Sequence, residues 1–320
     1  MMKRTTFKKR PGVLAQPVSI PSHNMTLKDW GLVILLSVLW GCSFFFVGVS
    51  VQEIPPLFIV LSRVGIAAVI LLLVVHLRGF EMPRSLKTWG AFLVMGALNN
   101  VIAFGLITWG QTQIESGLAS ILNATAPIFS VLLAHYVTRQ ERITPNKLAG
   151  ILIGWCGVAV LLGESLLYAP GNQVVAQLAV LGGTFSYSYA AFYAKRLEGL
   201  RPIVIAAGTL CGSTIIMLPL VVIFEEPWAV APSVEAIFSI GGLGIVCTAI
   251  AYTVYFRALA TVGPTNLLLA TFLVPANAIW LGAIGLGESL AWNAFTGMVL
   301  ILSGLVLIDG RMLRRLQKNL

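Results

Sequence analysis

Arg63 is the one formally charged side chain placed well inside a long apolar stretch of this sequence. A charge at the centre of a bilayer costs about 2.5–3.5 kcal/mol on insertion scales, so the guanidinium needs a partner or solvent. Three interpretations are open: it anchors a substrate carboxylate or gates its passage, it snorkels to the outer headgroups, or it bonds neighbouring carbonyl oxygens. The first interpretation would make Arg63 a substrate-binding residue.

Uncharged polar and aromatic side chains also interrupt the apolar stretches. Amides at membrane depth normally face other helices, where they either contact substrate or join the helices by hydrogen bonds. Hydroxyls and phenols recur at helical spacing, as Ser186 and Tyr189 do. The predicted substrate-binding residues are Trp40, Arg63, Asn99, Asn123, Ser186, Tyr189, Tyr252 and Asn277.

Two prolines within apolar segments are expected to expose backbone acceptors. Proline lacks an N–H, so Pro127 frees the carbonyl of Asn123 and Pro275 frees that of Thr271. Free carbonyls at membrane depth are tolerated where they face protein or a wet cavity. We therefore expect Pro127, Thr271 and Pro275 to mark helix breaks that line a cavity; simple packing kinks are the alternative.

The sequence lacks the residues that intramembrane catalysis or ion coupling would need. All 12 acidic residues fall in predicted loops or at predicted helix ends, which disfavours proton or sodium coupling through a buried carboxylate. The four cysteines are scattered through apolar runs, and no His-Glu-x-x-His pattern occurs. We therefore predict no catalytic residue, no metal site, no cofactor and no enzymatic activity. A neutral or zwitterionic cargo fits this lining best.

The composition is that of a membrane protein. Hydrophobic residues make up 58% of the 320 residues and charged residues 10%, against about 25% charged in a soluble domain. The net charge of +9 is spread over short loops, which argues against nucleic-acid binding. Ten apolar segments are each long enough to cross about 30 Å of hydrocarbon as a helix. They lie near 30–51, 57–77, 88–110, 117–137, 147–166, 174–194, 202–224, 236–257, 264–286 and 292–308.

The distribution of basic residues supports ten crossings. When alternate connections are assigned to opposite sides, every Lys and Arg except Arg63 falls on the side that holds the N-terminus. The positive-inside rule makes that side cytoplasmic. We therefore predict an integral protein of the cell (inner) membrane with both termini in the cytoplasm, in basic tails at 1–29 and 309–320.

Several residues of the first half of the chain recur at a nearly constant spacing in the second half. Pro127 and Pro275 lie 148 residues apart, and Glu141 and Glu288 lie 147 apart. Chance matching of a few residues in apolar sequence is the alternative explanation. Because each half holds an odd number of predicted spans, the copies must lie upside down relative to each other. This predicts an all-α membrane fold of ten transmembrane helices in a 5+5 inverted repeat, with five-helix halves at 30–166 and 174–308.

Short motifs across residues 30–308 resemble a known family. They are Leu39-Trp40-Gly41-Cys42-Ser43-Phe44, Pro56-x6-Arg63, Ala126-Pro127, and the loop glutamates Glu141 and Glu288 with the glycines that follow them. Together they resemble the EamA-type branch of the drug/metabolite transporter superfamily. The resemblance implies an exporter or importer of amino acids and other small metabolites, with a cavity among helices 1, 3, 4, 6, 8 and 9. The first-helix glutamate of the four-helix multidrug relatives is missing, which puts proton-driven cation export in doubt.

These observations predict a secondary transporter that moves a small amino-acid-like metabolite by alternating access. Export rather than import is implied by the resemblance alone. The alternatives are a proton-coupled multidrug or cation exporter and a non-transporting polytopic receptor or scaffold. The expected partners are a small-molecule substrate and the lipid bilayer, without nucleic acid. A stripe of Gly150, Gly154 and Gly157 favours close helix packing within the bundle, with a homodimer interface as the alternative.

Overall fold

The computed structural model describes residues 25–137, 143–168, 171–229 and 231–310. Glu141 and most of both predicted tails lie outside the described residues. Short 3-10 turns follow two of the helices, at Ala194–Leu197 and Pro227–Ala229, and no β-strand occurs in these ranges. The α-helices are α1 (Leu27–Ser50), α2 (Pro56–Leu77), α3 (Leu86–Gly96), α4 (Ala103–Gly110), α5 (Ser116–Asn123), α6 (Ala126–Tyr136), α7 (Pro145–Tyr168), α8 (Asn172–Tyr193), α9 (Pro202–Phe224), α10 (Val234–Gly244), α11 (Ala251–Gly285) and α12 (Trp292–Asp309).

Local sequence explains where several helices begin and end. The hydroxyl of Thr26 accepts a hydrogen bond from the Asp29 N–H, while the Asp29 carboxylate accepts one from the Thr26 N–H, so α1 begins with a capping box. α2 and α9 each begin at a proline, whose missing N–H would be unbonded in a first turn anyway. α12 ends at Gly310, whose φ of 66° is a left-handed conformation that glycine adopts without steric cost.

Eight helical stretches in the described ranges are long and apolar enough to cross a membrane. α3 with α4, α5 with α6, and α10 with the first part of α11 each form one such stretch. α8 has 22 residues, but its glutamines and hydroxyl side chains lower its mean hydropathy. The second part of α11 contributes a shorter apolar stretch, Leu269–Gly285. The chain is therefore an integral membrane protein, and helices are the regular secondary structure of the part that the structure describes.

Two turns of π-helix interrupt long helical stretches. The first π-segment, Ala97–Ile102, joins α3 to α4, and the second π-segment, Ile245–Ile250, joins α10 to α11. They begin 148 residues apart, at 97 and at 245. A π-helical turn is wider than an α-helical turn, so the regular backbone hydrogen-bond pattern is broken there. Side-chain donors can then reach the displaced carbonyls.

Glycines bring α7 and α12 into close contact. A Cβ placed on Gly157 would lie 2.7 Å from the Gly297 carbonyl oxygen, and one on Gly150 would meet the Gly304 carbonyl oxygen. Two helix backbones approach this closely only where the facing residues have no side chain. The glycine stripe is therefore used within the bundle, between two helices of the same chain.

The helical backbone is interrupted near Pro127 but not at Pro275. α5 ends at Asn123, and Pro127 lies in the first turn of α6. Helical backbone angles continue through Pro275 in α11, and the bend of that helix lies at Gly263, where φ is 78° and ψ is 163°. A positive φ of this size favours glycine because it has no Cβ. Pro127 thus stands at a junction between helices, and Pro275 stands inside one.

Carboxylates join helix ends at one end of the bundle. Glu53, after α1, accepts hydrogen bonds from the backbone N–H and the hydroxyl of Ser233, at 2.6 and 2.8 Å. Glu225, after α9, accepts from the backbone N–H groups of Leu57 and Phe58, at 2.9 and 2.8 Å. The N-termini of α10 and α2 thereby receive negative charge where the helix dipole is positive.

At the same end of the bundle, Glu288 follows α11 and caps the N-terminus of α5. It accepts hydrogen bonds from the N–H and hydroxyl of Ser116, both at 2.8 Å, and from the N–H of Gly117 at 3.2 Å. Burial and the charge of Glu288 raise the pKa of the neighbouring Glu115. The hydrogen bonds from Ser233 lower the pKa of Glu53. The pKa values of these two carboxyl groups are therefore shifted in opposite directions, so the charge of Glu115 opposes folding and that of Glu53 favours it.

Candidate functional site

Arg63 points from α2 into the bundle, and its side chain is 8% exposed. Its Nε donates a hydrogen bond to the Thr248 hydroxyl at 2.9 Å. Its guanidinium carbon lies 3.9 Å from the centre of the Phe104 ring, in a cation–π contact with α4. Snorkelling to the headgroups therefore does not describe this side chain, because both contacts hold it inside the protein.

Thr248 supports Arg63 from the second π-segment. The Thr248 hydroxyl donates to the Leu243 carbonyl at 2.7 Å. A hydroxyl has one proton, so once that proton is committed its oxygen is left to accept from the arginine. Thr248 therefore fixes one edge of the guanidinium through its hydroxyl, which is itself held by the Leu243 carbonyl of α10.

A chain of amides and hydroxyls runs through the first π-segment. Asn99 Nδ2 donates to Asn100 Oδ1 at 3.0 Å and to the Tyr252 hydroxyl at 3.3 Å. Asn100 Nδ2 donates to the Ser213 hydroxyl at 2.7 Å, and that hydroxyl donates to the Thr209 carbonyl at 2.8 Å. These bonds tie the first π-segment to α9 and α11, and they fix the orientation of both amides.

We call Arg63, Asn99, Asn100, Thr248 and Tyr252 the central polar cluster. Tyr252 is one of the titratable side chains near Arg63, and it accepts the bond from Asn99, so three of the predicted binding residues come together. Asn99 and Tyr252 are 153 residues apart in the sequence. The cluster therefore joins the two halves of the chain.

Aromatic rings extend from the central polar cluster toward α1. Tyr252 stacks on Phe256 with ring centres 6.0 Å apart, and Phe256 meets Tyr255 edge to face at 5.3 Å. Tyr255 in turn lies 6.0 Å from Trp40, a predicted binding residue. This row of rings gives the polar cluster an uncharged, largely apolar neighbour.

Hydroxyls of α8 support the junction between α5 and α6. The Thr184 hydroxyl lies 3.2 Å from Asn123 Oδ1 and 2.8 Å from the Val180 carbonyl oxygen, so its one proton can go to either acceptor. The Ser188 hydroxyl likewise lies 3.0 Å from the Ala126 carbonyl oxygen and 2.9 Å from that of Thr184. The amide of Asn123 therefore has a protein partner in this conformation. The junction that contains Pro127 is held by side chains of another helix, as expected for irregular backbone at membrane depth.

Ser186 and Asn277 also bond to other helical segments. Ser186 donates to the Leu98 carbonyl of the first π-segment at 2.8 Å. Asn277 Nδ2 donates to the Ser37 hydroxyl at 3.2 Å and to the Leu273 carbonyl at 3.0 Å. Both side chains link helical segments in this conformation, and for the Asn277 amide such a link was the alternative to substrate contact.

The remaining predicted residues lie elsewhere on α8 and α11. Tyr189 is 37% exposed. In the second part of α11, Pro275 is buried and Thr271 is partly buried.

Three residues that contact the central polar cluster or belong to it were not predicted from the sequence: Thr248, Ser213 and Phe104. Their residue types are common in membrane helices and do not mark them as part of a site. The 148-residue spacing is the signal that could have located two of them, because it relates Thr248 to Asn100 and Phe104 to Tyr252. Gly96 and Gly244 share that spacing and each precedes a π-segment. A Cβ on Gly96 would lie 2.8 Å from the Ser213 hydroxyl oxygen, and one on Gly244 would lie 2.6 Å from the Ile66 Cβ.

Comparisons with known proteins match the whole helical region. The model of the EamA-like transporter family matches residues 30–163 and again 174–309. A probable terminal-alkyne amino-acid exporter of Streptantibioticus cattleyicolor is 30% identical over 288 residues, which is 89% of this chain and 94% of that protein. The uncharacterized transporter YoaV of Bacillus subtilis is 24% identical over 274 residues, 85% of this chain and 94% of that protein.

Two further matches concern location and fold. The uncharacterized inner membrane transporter YedA of Escherichia coli K12 is 26% identical over 286 residues, 87% of this chain and 90% of that protein. A protein of known crystal structure, 20% identical, superposes with a TM-score of 0.64 over 90% of this chain and 98% of that chain. The second match shows a shared fold.

Proposed function

This chain belongs to the EamA-like transporter family, and we propose that it is a secondary transporter that exports a small amino-acid-like metabolite by alternating access. The family and the named relatives are transporters, not enzymes. Outward transport and an amino-acid-like cargo are supported by the 30% identical relative, which is named a probable amino-acid exporter.

The proposed architecture is ten membrane helices in two inverted five-helix halves, at 30–166 and 174–308. The double match of one family model and the equal placement of the two π-segments support an internal repeat. α8 and the second part of α11 would add two crossings to the eight apolar stretches. With ten crossings, the distribution of Lys and Arg supports cytoplasmic termini and insertion in the cell membrane.

The central polar cluster is the observation that carries the proposal. It consists of amide, hydroxyl, phenol and guanidinium groups contributed by both halves, and it lies beside a row of aromatic rings. Every Asp and Glu side chain that the structure describes lies in a loop or in the first or last turn of a helix. A neutral or zwitterionic solute suits this surrounding better than a cation. A cluster shared by two halves can be opened to either side when the halves rock.

Transport by the purified protein in liposomes tests the proposal. The panel comprises labelled L-amino acids, cationic drugs and sugar phosphates, each with and without an imposed pH gradient. We expect a neutral or zwitterionic amino acid to move without a gradient. Gradient-dependent movement of cations would replace this function with proton-coupled drug export. Failure to move any compound of the panel would favour a receptor or scaffold.

A pair of tyrosine variants links transport to the cluster. Tyr252→Phe removes the hydroxyl that accepts from Asn99 and should lower the transport rate several-fold. Tyr136→Phe makes the same chemical change at an exposed tyrosine at the end of α6 and should leave the rate unchanged. Equal rates for the two variants would separate transport from the central polar cluster.

A further inference from the structure

Arg63 is a buried cation without a counter-ion in the described part of the chain. Its contacts there are the Nε bond to Thr248 and the ring of Phe104, and the titratable side chains near it are two phenols and a thiol, those of Tyr187, Tyr252 and Cys247. Phenols and thiols are uncharged at neutral pH, whereas a guanidinium stays charged. A buried charge is normally paired, because desolvation without a partner is costly. The residues that the structure describes supply no such partner, which leaves the guanidinium able to pair with a bound anion.

The outer edge of the guanidinium is available for such a partner. Neither terminal nitrogen of Arg63 has a hydrogen-bond acceptor among the described residues. Neither is among the fully enclosed polar atoms that lack a partner, so both border unfilled space. The Nε bond and the Phe104 ring hold the rest of the group in place. A guanidinium fixed in this way presents parallel N–H groups that match the two oxygens of a carboxylate.

Among the described residues, no carboxylate lies beside Arg63 that could pair with a positively charged amine. Asn99 and Tyr252 provide uncharged polar atoms beside Arg63, and the acidic side chains of the described ranges lie in loops or at helix ends. An ammonium group would therefore gain at most neutral hydrogen bonds, and a carboxylate would gain a charge-assisted pair. The site favours one end of an amino-acid-like molecule over the other.

We propose that Arg63 binds the carboxylate of the cargo, so that a free carboxylate is required for binding and an amino group is dispensable. The substrate class is a small carboxylic acid with an uncharged body, which includes amino acids and the corresponding 2-oxo acids. This inference rests on the proposed function, since it assigns a binding role at the same site. It names the carboxylate as the group that the site recognises, and it extends the cargo to acids without an amino group.

Binding to purified protein in detergent tests the proposal without transport. The probes are the proteinogenic L-amino acids with uncharged side chains, each with its amide, its decarboxylated amine and its 2-oxo acid, and the readout is the thermal unfolding midpoint. We expect at least one acid to stabilise the protein at a concentration tenfold or more below its amide and amine. The matching 2-oxo acid should act within a few-fold of the amino acid. An equally effective amide or amine, an inactive 2-oxo acid, or no stabilising acid would overturn the proposal.

Substitutions of Arg63 test whether its guanidinium causes the preference for the acid over the amide. Arg63→Gln should reduce the ratio between acid and amide to near one, and Arg63→Lys should keep a preference for the acid because the positive charge remains. Thr248→Val removes the supporting hydroxyl but not the charge, so the preference should persist. If Arg63→Gln does not fold, the wild-type comparison still decides. Transport without carboxylate preference would refute this inference alone, whereas carboxylate binding without transport would refute the proposed function alone.

Discussion

Asn100 and Thr248 lie 148 residues apart, at the same place in two π-segments, and each forms a hydrogen bond with a polar side chain of the opposite half. Asn100 donates to Ser213 of α9, and Thr248 accepts from Arg63 of α2. The pairing of helices is the same in both cases, because α2 and α9 begin at the matching prolines Pro56 and Pro202. Polar contacts at the first π-segment are uncharged, and those at the second include a charge.

The Asn100–Ser213 contact should contribute measurably to stability. Asn100→Ala leaves a buried hydroxyl without its donor and should lower the free energy of unfolding by about 1–3 kcal/mol. Denaturant unfolding in detergent measures this. Ser213→Ala alone and the double variant complete a thermodynamic cycle, in which the double variant should cost less than the two single ones together. Strict additivity would show that the two groups do not interact.

Glu288 should hold the start of α5 in place. Glu288→Gln keeps an acceptor but removes the charge that receives three hydrogen bonds, and it should cost about 1–2 kcal/mol. Hydrogen–deuterium exchange should become faster in the peptide that contains Ser116 and Gly117. Glu226→Gln makes the same change at an exposed carboxylate beside α9 and serves as the control. Unchanged exchange in Glu288→Gln would remove this capping role.

Glu115 and Glu53 should change stability with opposite dependence on pH. The raised pKa of Glu115 means that its charge weakens the fold above that pKa, so Glu115→Gln should be more stable than wild type at pH 7. The lowered pKa of Glu53 means that its charge stabilises the fold at neutral pH and that this stabilisation is lost as the pH falls through the folded-state pKa. Glu53→Gln should therefore be less stable at pH 7.

Thermal unfolding midpoints from pH 7 down to pH 4 measure both effects. The difference for Glu115→Gln should shrink as the pH falls from the raised pKa of Glu115 to the usual value of 4.5, whereas the difference for Glu53→Gln should shrink as the pH falls below 4.5. A difference of the same sign for both variants would contradict the assignment.

The α7–α12 contact should not tolerate a methyl group. Gly157→Ala would place its Cβ 2.7 Å from the Gly297 carbonyl oxygen and should cost about 1–3 kcal/mol. Gly163→Ala, on the same helix with nothing within 4 Å of its Cβ, should be neutral or stabilising by up to about 1 kcal/mol. Unfolding in detergent compares the two. Equal stabilities would show that α7 and α12 can separate without cost.

Much of the arrangement of helices along the chain follows from the apolar runs in the sequence and from the prolines at helix starts. Pro56 and Pro202 sit at helix starts, and long apolar runs must be helical in lipid because every backbone group needs an internal partner. The burial of Arg63 was one of the open interpretations, but its partner could not be read from one sequence. Thr248 is 185 residues away, and such pairing depends on how the helices pack.

Other site features depend on backbone geometry that residue types do not encode. Pro127 and Pro275 occupy matching sequence positions, yet the first stands at a helix junction and the second lies within continuous helix. Asn277 carries an amide that could bind substrate, but one of its N–H groups donates a hydrogen bond to the hydroxyl of Ser37. An uncharged amide can serve either role, and only the arrangement of neighbouring helices decides between them.

The two π-segments also bear on the history of the chain. Each match to the family model contains one of them, and they lie at the same offset. A single origin before duplication explains this more simply than two independent insertions at equivalent positions. Since each π-segment bonds to a helix of the opposite half, the ancestral unit needed a second copy of itself to complete the same contacts. The two copies have since diverged in charge, because α9 contains no arginine that would correspond to Arg63 of α2.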